Sequence, residues 1–399
     1  MKNLTKIILI FLIGLFITTS LKAQKRPIDR NNKTDYFGIT TMFLYSNRDW
    51  VAGDKASKGS LRFDSFRIWA QTDIDKKLFA AVQFRFYEGW QTPTHLYIGY
   101  HINDKNTLQL GHTWVPFGIG YQPFDDWGNI TFYVGLQDDY DYGITWETNH
   151  GILKFHAGFF KNQQLSSSST YRYDTDIFSG GLNDDYLISM EKSNEEVNQL
   201  NLRLELSPSI NNIKMDFGLS GMAGQIYSKS QDENGTRYAA ALHAAVNINK
   251  FHFNAQQTWY NYTQILADSA TQDQLDFINV SSWGFAYEIP VSANIFSASA
   301  AYDIIGDKLS VHGNYSYLWG GTSQASSQLV TAGVRTIWDT FEVFAEVYHG
   351  INDPQLSGIS SGYGRNFSSS DLRVDVRFFY KIKIVSDNSI ALLKKKLNE

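Results

Sequence analysis

Leu372-Arg373-Val374-Asp375-Val376-Arg377-Phe378-Phe379-Tyr380-Lys381-Ile382-Lys383-Ile384 alternates with a period of two. Leu372, Val374, Val376, Phe378, Tyr380, Ile382 and Ile384 share one face of an extended chain, while Arg373, Asp375, Arg377, Lys381 and Lys383 share the other. Such a strand has lipid on one side and water on the other. Its 13 residues exceed the roughly 5 or 6 of a soluble strand and reach the roughly 9 to 11 that a tilted strand needs to cross a bilayer.

The same alternation recurs along the chain. Outward apolar sets are expected at Phe66/Ile68/Ala70, Leu78/Ala80/Val82/Phe84/Phe86, Leu96/Ile98/Tyr100/Ile102, Leu200/Leu202/Leu204/Leu206, Tyr238/Ala240/Leu242/Ala244/Val246 and Leu309/Val311/Tyr315. Opposite them fall Arg67, Gln71, Gln83, Arg85, Asn201, Arg203, Glu205, Arg237, His243, His312 and Asn314. That inner face suits a wet lumen better than a dry core. Tyr36, Tyr45, Tyr87, Trp90, Tyr97, Trp319 and Tyr348 fall near strand ends, where interfacial aromatic girdles sit.

Hydrophobic residues make up 43% of the chain and aromatic ones 15%, dispersed in alternation after one N-terminal run. That run, Ile7 to Ile17 after Lys2 and Lys6, reads as a signal peptide over residues 1–23, too short for a spanning helix. The absence of Cys excludes disulfides and thiolate metal sites. A net charge of -5 argues against a nucleic-acid partner. Within lipid, only helices and closed barrels satisfy their backbone groups, so the expected fold is all-β: a transmembrane antiparallel β-barrel of about 16 strands.

Short turns at Asp73 to Lys76, Asn103 to Lys105, Thr148 to Gly151 and Asn249-Lys250 interleave with long polar stretches. Those stretches are Asn47 to Gly59, Val115 to Asp138, Lys161 to Glu196, Ala267 to Asp276 and Ile351 to Ser370. Short periplasmic turns with long outer loops mark a bacterial outer-membrane barrel. A direct count gives 17 strands, and an odd number is suspect in a single bacterial chain. The doubtful region is Phe277 to Ile305, where Pro290 separates two strand-like runs, one of them read as loop or as half of a bent strand. The expected layout is a lead at 24–34, a barrel at 35–385 with a constriction loop at 115–138, and a periplasmic tail at 386–399.

Leu96 to Phe117 (LYIGYHINDKNTLQLGHTWVPF), followed by Gly118, resembles the phosphate-selective porin family of the porin O and P type. In that family a strand, a short turn and a second strand ending in Gly-Gln-x-Lys-x-Pro-Phe-Gly lead into a loop folded into the pore. Gly111, Pro116, Phe117 and Gly118 keep the spacing, while His112 and Trp114 stand at the polar and lysine positions. A weaker echo lies in Asp141-Tyr142-Gly143-Ile144 and Gly158-Phe159-Phe160-Lys161-Asn162. The resemblance implies a 16-stranded, homotrimeric diffusion porin, but the missing lysine leaves phosphate selectivity behind.

The candidate constriction comprises Pro116, Phe117, Gly118, Tyr121, Phe124, Asp125, Asp126 and Trp127, aromatic faces beside carboxylates. Inward Arg67, Arg85, Arg203, Arg335, Arg373 and Arg377 either form an anion track or pair with Glu205, Glu342, Glu346 and Asp375 as wall salt bridges. Asp138, Asp139 and Asp141 read as a solvated acidic loop more readily than as a hard-cation site. Gly358-Ile359-Ser360-Ser361-Gly362 spells a nucleophile elbow but lacks the strand-to-helix setting. The histidines show no His-x-x-x-His spacing, so no enzyme, metal or cofactor is expected. The expected function is a passive outer-membrane channel in a Gram-negative bacterium, with lipid and small hydrophilic solutes as partners. The alternatives are a channel specific for anions or sugars and, in another class, a barrel enzyme or surface adhesin.

Overall fold

The computed structural model describes residues 36–49, 51–119, 128–164, 170–178, 194–265, 276–306, 308–321, 326–338, 340–352 and 368–383. The strands in chain order begin with β1 (Tyr36–Arg48), β2 (Ser60–Asp73), β3 (Leu78–Tyr87), β4 (Trp90–Asn103), β5 (Asn106–Trp114), β6 (Tyr140–His150) and β7 (Leu153–Asn162). There follow the short β8 (Asp176–Ile177), β9 (Asn194–Leu206), the short β10 (Ser209–Ile210), β11 (Ile213–Ser228), β12 (Glu233–Ile248) and β13 (Phe251–Thr263). The chain continues with β14 (Phe277–Ser282), β15 (Phe285–Pro290), β16 (Ser292–Ile305), β17 (Leu309–Trp319), β18 (Ser326–Ile337), β19 (Phe341–Ile351) and β20 (Ser368–Lys383).

Sixteen of these close an antiparallel barrel, and β20 seals it by pairing with β1 from Tyr36↔Lys383 to Arg48↔Asp371. The doubtful region resolves accordingly. Its first two runs, β14 and β15, form a hairpin that pairs with β8 outside the barrel sheet, and β16 is the wall strand. The expected lead, tail and signal segments lie outside the described residues.

Period two governs the wall. Leu242 and Ile98 are 61% and 54% exposed, whereas His243 and Tyr97, one position away on each strand, are buried inside. A belt of exposed Leu, Ile, Phe and Val around a closed sheet is a surface built for lipid. Aromatic pairs mark its short-turn end, among them Phe251 with Tyr302, Trp146 with Phe155 and Trp338 with Phe341. Three residues assigned to the girdles are corrected, the first being Tyr87, which shares the inner face of Arg85 with its hydroxyl buried. Tyr97 packs on Phe79 within the lumen, and Tyr348, also inside, lies under Arg373.

Alternation breaks where the strands bulge. Between β1 and β2 the register slips at Met42/Phe43, so Asp64 is the extra residue. A bulge turns the remainder of the strand over. Leu61 and Phe63 therefore face lipid, and Arg62, opposite Leu44, faces in.

The assigned faces can be checked on β20. Val376→Arg, on the lipid face near mid-strand, is expected to cost about 2 to 4 kcal/mol and to lower the yield of the compact, fast-migrating form on an unboiled gel. Asp375→Asn, on the opposite face, is expected to leave that yield unchanged.

Candidate functional site: a lumen narrowed by inward loops

β5 stops at Trp114, and Val115, Pro116 and Phe117 continue inward, all buried. Pro ends ladder pairing, and Gly118, at φ 59, then makes a turn that L side chains rarely adopt. Its N–H donates to Ser220 Oγ on β11 at 3.0 Å, and the N–H of Ile119 donates to Gln256 Oε1 on β13 at 2.7 Å. Arg203 Nε, on β9, donates to the Gly118 carbonyl at 2.8 Å. The turn is thus held by three wall strands. Tyr121, Phe124, Asp125, Asp126 and Trp127 lie outside the described residues.

The chain returns at Gly128 and stays inside. A helical turn, Ile130–Tyr133, is capped by Asn129, whose Oδ1 accepts from the Thr131 N–H at 3.1 Å and from Ser316 Oγ at 3.2 Å. Arg237 Nη2 donates to the Gly135 carbonyl at 2.9 Å and Tyr287 Oη to that of Tyr133 at 2.9 Å. Ile130, Phe132, Tyr133, Val134 and Leu136 bury themselves against Ile278, Tyr287 and Ile289 of the inner hairpin and Tyr260, Tyr262 and Ile295 of the wall. The segment after Thr170, read from the sequence as part of an outer loop, joins this core through Tyr173 and Ile177. The lumen therefore contains a second, apolar core on one side, built from three inward segments.

The arginines divide into two groups. Arg203 pairs with Glu205, Arg335 Nε with Glu342 at 2.7 Å, Arg377 with Glu342 at 3.5 Å and Arg373 Nε with Asp371 at 2.6 Å. These are the wall salt bridges. Arg67 and Arg85 stand directly opposite each other on β2 and β3, and among the described residues no carboxylate lies within ion-pairing distance of either. Arg67 Nε donates to Ser65 Oγ at 3.1 Å, and Arg85 lies 3.7 Å over the Tyr173 ring. Arg62, exposed above them, likewise has no ion-paired carboxylate among the described residues. Alternation counted from Phe66 places Arg62 on the lipid face, and only the bulge brings it inside.

The acidic residues past the loop are the opposite of solvated. Asp138, Asp139 and Asp141 are buried, and Asp138 accepts from the Tyr140 and Tyr173 hydroxyls. Asp174 and Asp176 arrive beside them, and carboxylate oxygens of Asp139, Asp141 and Asp176 all lie within 4.8 Å of one another. Burial, reinforced by Asp176, pushes the Asp139 carboxyl up to about 8. Spacing along the sequence did not reveal this group, because two of its members come from the inward segment after Thr170.

No protein-family model matches the chain, and no curated protein matches it in sequence. Its likeness is to solved structures. The outer membrane channel DcaP of Acinetobacter baumannii is 12% identical, with 91% of this chain and 100% of that one covered at a TM-score of 0.57. The trimer form of OmpT, an outer membrane protein of Vibrio cholerae, is 11% identical over 87% of this chain and 99% of that one, at 0.56. An anion-selective porin from Comamonas acidovorans is 14% identical over 86% of this chain and 98% of that one, at 0.50. At such identities the likeness is one of fold.

Gly118 offers a test of the inward turn. A Cβ there would meet Gln256 Oε1 at 2.5 Å in a left-handed backbone, so Gly118→Val carries a strain of about 1 to 3 kcal/mol. Limited proteolysis followed by mass spectrometry should show faster cleavage between residues 115 and 139 in the variant, with the barrel strands still protected.

Proposed function

We propose that this protein is an outer-membrane porin of a Gram-negative bacterium, a passive diffusion channel that prefers small hydrophilic anions. The channel reading is supported by the closed barrel, its lipid belt and the loop folded inward at Pro116-Phe117-Gly118. That turn is the part of the phosphate-selective porin resemblance with a geometric counterpart. Gly111, another residue of the motif, sits at φ 138 with the Leu96 carbonyl 2.3 Å from where a Cβ would be, so only glycine fits there.

The anionic preference rests on one observation: Arg62, Arg67 and Arg85 form a cationic strip on β2 and β3 with no ion-paired carboxylate among the described residues. Arginines without an ion-paired acid select by charge, whereas Arg373 and Arg377 on nearby β20 are neutralised by wall carboxylates. At its inner end the strip meets the apolar core, where Arg85 stacks on Tyr173, and at its other end Arg62 is exposed. Arg203 and Arg237 serve the loop instead, through Gly118 and Gly135. In the lipid bilayer the protein acts as a homotrimer, as the family resemblance implies.

Planar-bilayer recording in a salt gradient tests this reading. The wild type is expected to give a reversal potential of anionic sign, and Arg62→Ala with Arg67→Ala to move it toward zero or past it. A conducting channel with cation preference would remove the anion assignment, and absence of conductance would remove the channel.

A further inference from the structure

The carboxylate group beside the inner core is short of partners. Asp139 leaves the constriction loop, Asp141 lies at the start of β6, and Asp174 and Asp176 stand on the inward segment. All four side chains are nearly sealed, with exposures of 3%, 1%, 0% and 0%. The Oδ1 atom of each is buried and has no hydrogen-bond partner among the described residues. The nearby donors reach only the Oδ2 atoms of Asp174 and Asp176 or are committed elsewhere. Arg172 Nη1 donates to Asp176 Oδ2 at 2.6 Å, and the Tyr140 N–H to Asp174 Oδ2 at 2.9 Å. Arg237 is engaged by Glu196, Gln199 and the Gly135 carbonyl. Asp141 makes no hydrogen bond through its side chain among the described residues. Two arginines thus face five acids in a space closed to water, an arrangement that leaves anionic oxygens exposed to one another.

We propose that Asp139, Asp141 and Asp176, with Asp174, bind one hard divalent cation, calcium, which ties the inward segment to the point where the constriction loop enters β6. The donor set is all oxygen, the choice of a hard cation. Calcium holds oxygens at about 2.3 to 2.6 Å, so two ligands on one ion lie at most about 5 Å apart. The carboxylate oxygens of Asp139, Asp141 and Asp176, all within 4.8 Å of one another, meet that limit before any rearrangement. Bidentate carboxylates fill a calcium sphere with few residues, and the unpartnered Oδ1 atoms supply the second oxygens. The ion would act as a staple between two stretches separated in sequence, Asp139–Asp141 at the start of β6 and Asp174–Asp176 on the inward segment. This proposal rests on the loop geometry and not on what crosses the pore.

The test uses the full-length protein in detergent, stripped with EDTA and titrated with calcium chloride by calorimetry. Terbium luminescence, sensitised through nearby Tyr140 and Tyr173, provides a second probe. One calcium per chain is expected, with affinity at least tenfold weaker in Asp141→Asn, a variant that loses no hydrogen bond. Calcium should also raise the temperature at which the fast-migrating gel form is lost in the wild type, and not in the variant. That mobility reports directly whether the variant barrel is folded. No saturable binding to the wild type, or equal affinity in Asp141→Asn, overturns the proposal. So does a variant more heat-resistant than the wild type with or without calcium, the mark of carboxyls sharing protons. Conductance without calcium binding would sink the staple and leave the channel standing.

Discussion

Inside a bilayer no water is available to an open strand edge, and this fixes the architecture. Each barrel strand must find two neighbours, so β20 returns to β1 along the full length of Tyr36–Arg48. Closure forces one face of every strand outward into lipid and the other inward, and the polar half of each alternating run has nowhere else to go. Buried arginines and carboxylates in the lumen follow from the hydrogen-bonding demand of the outer layer.

Within that enclosure the charged side chains have different tasks. Arg203 and Arg237 spend their donors on loop carbonyls at Gly118 and Gly135, where a peptide oxygen receives a charge-assisted bond. Arg335, Arg373 and Arg377 pair with acids on the wall, and two of them lie 4.7 Å over the rings of Tyr348 and Phe344. Only Arg62, Arg67 and Arg85 keep their charge without an ion-paired acid among the described residues, and all three lie on β2 and β3. Arg85 also touches the inner core through Tyr173, whose hydroxyl donates to Asp138. The cationic strip and the carboxylate group are therefore linked through a single aromatic ring.

The sequence announced the faces of the wall and hid its interior. Period two marks Val376 and Phe378 for lipid, and the Pro116-Phe117-Gly118 turn announces an inward departure, because both signals are local. Arg62 escaped because one extra residue at Asp64 reverses parity. Tyr97 and Tyr348 escaped because alternation places a side chain on a face, while aromatic residues near strand ends suit either face. The partnership of Asp141 with Asp174 and Asp176 escaped because it spans two loops and depends on where each folds in the lumen. β14 and β15 carry strand-like sequences that were hard to tell from wall, since a strand sealed inside a barrel has the same alternation as one within it.

The inner core is one-sided. Its wall contacts run through β5, β6, β11, β12, β13, β16, β17, β18 and β19, whereas β20, β1, β2 and β3 contribute no apolar residue to it among the described residues. A sheet backed by packed side chains resists bending, and an unbacked sheet is a shell one strand thick. The arc from β20 to β3 accordingly has no apolar packing behind it, apart from the contact of Arg85 with Tyr173. Lateral pressure from the membrane would flatten the unbacked side first, and that side carries Arg62, Arg67 and Arg85.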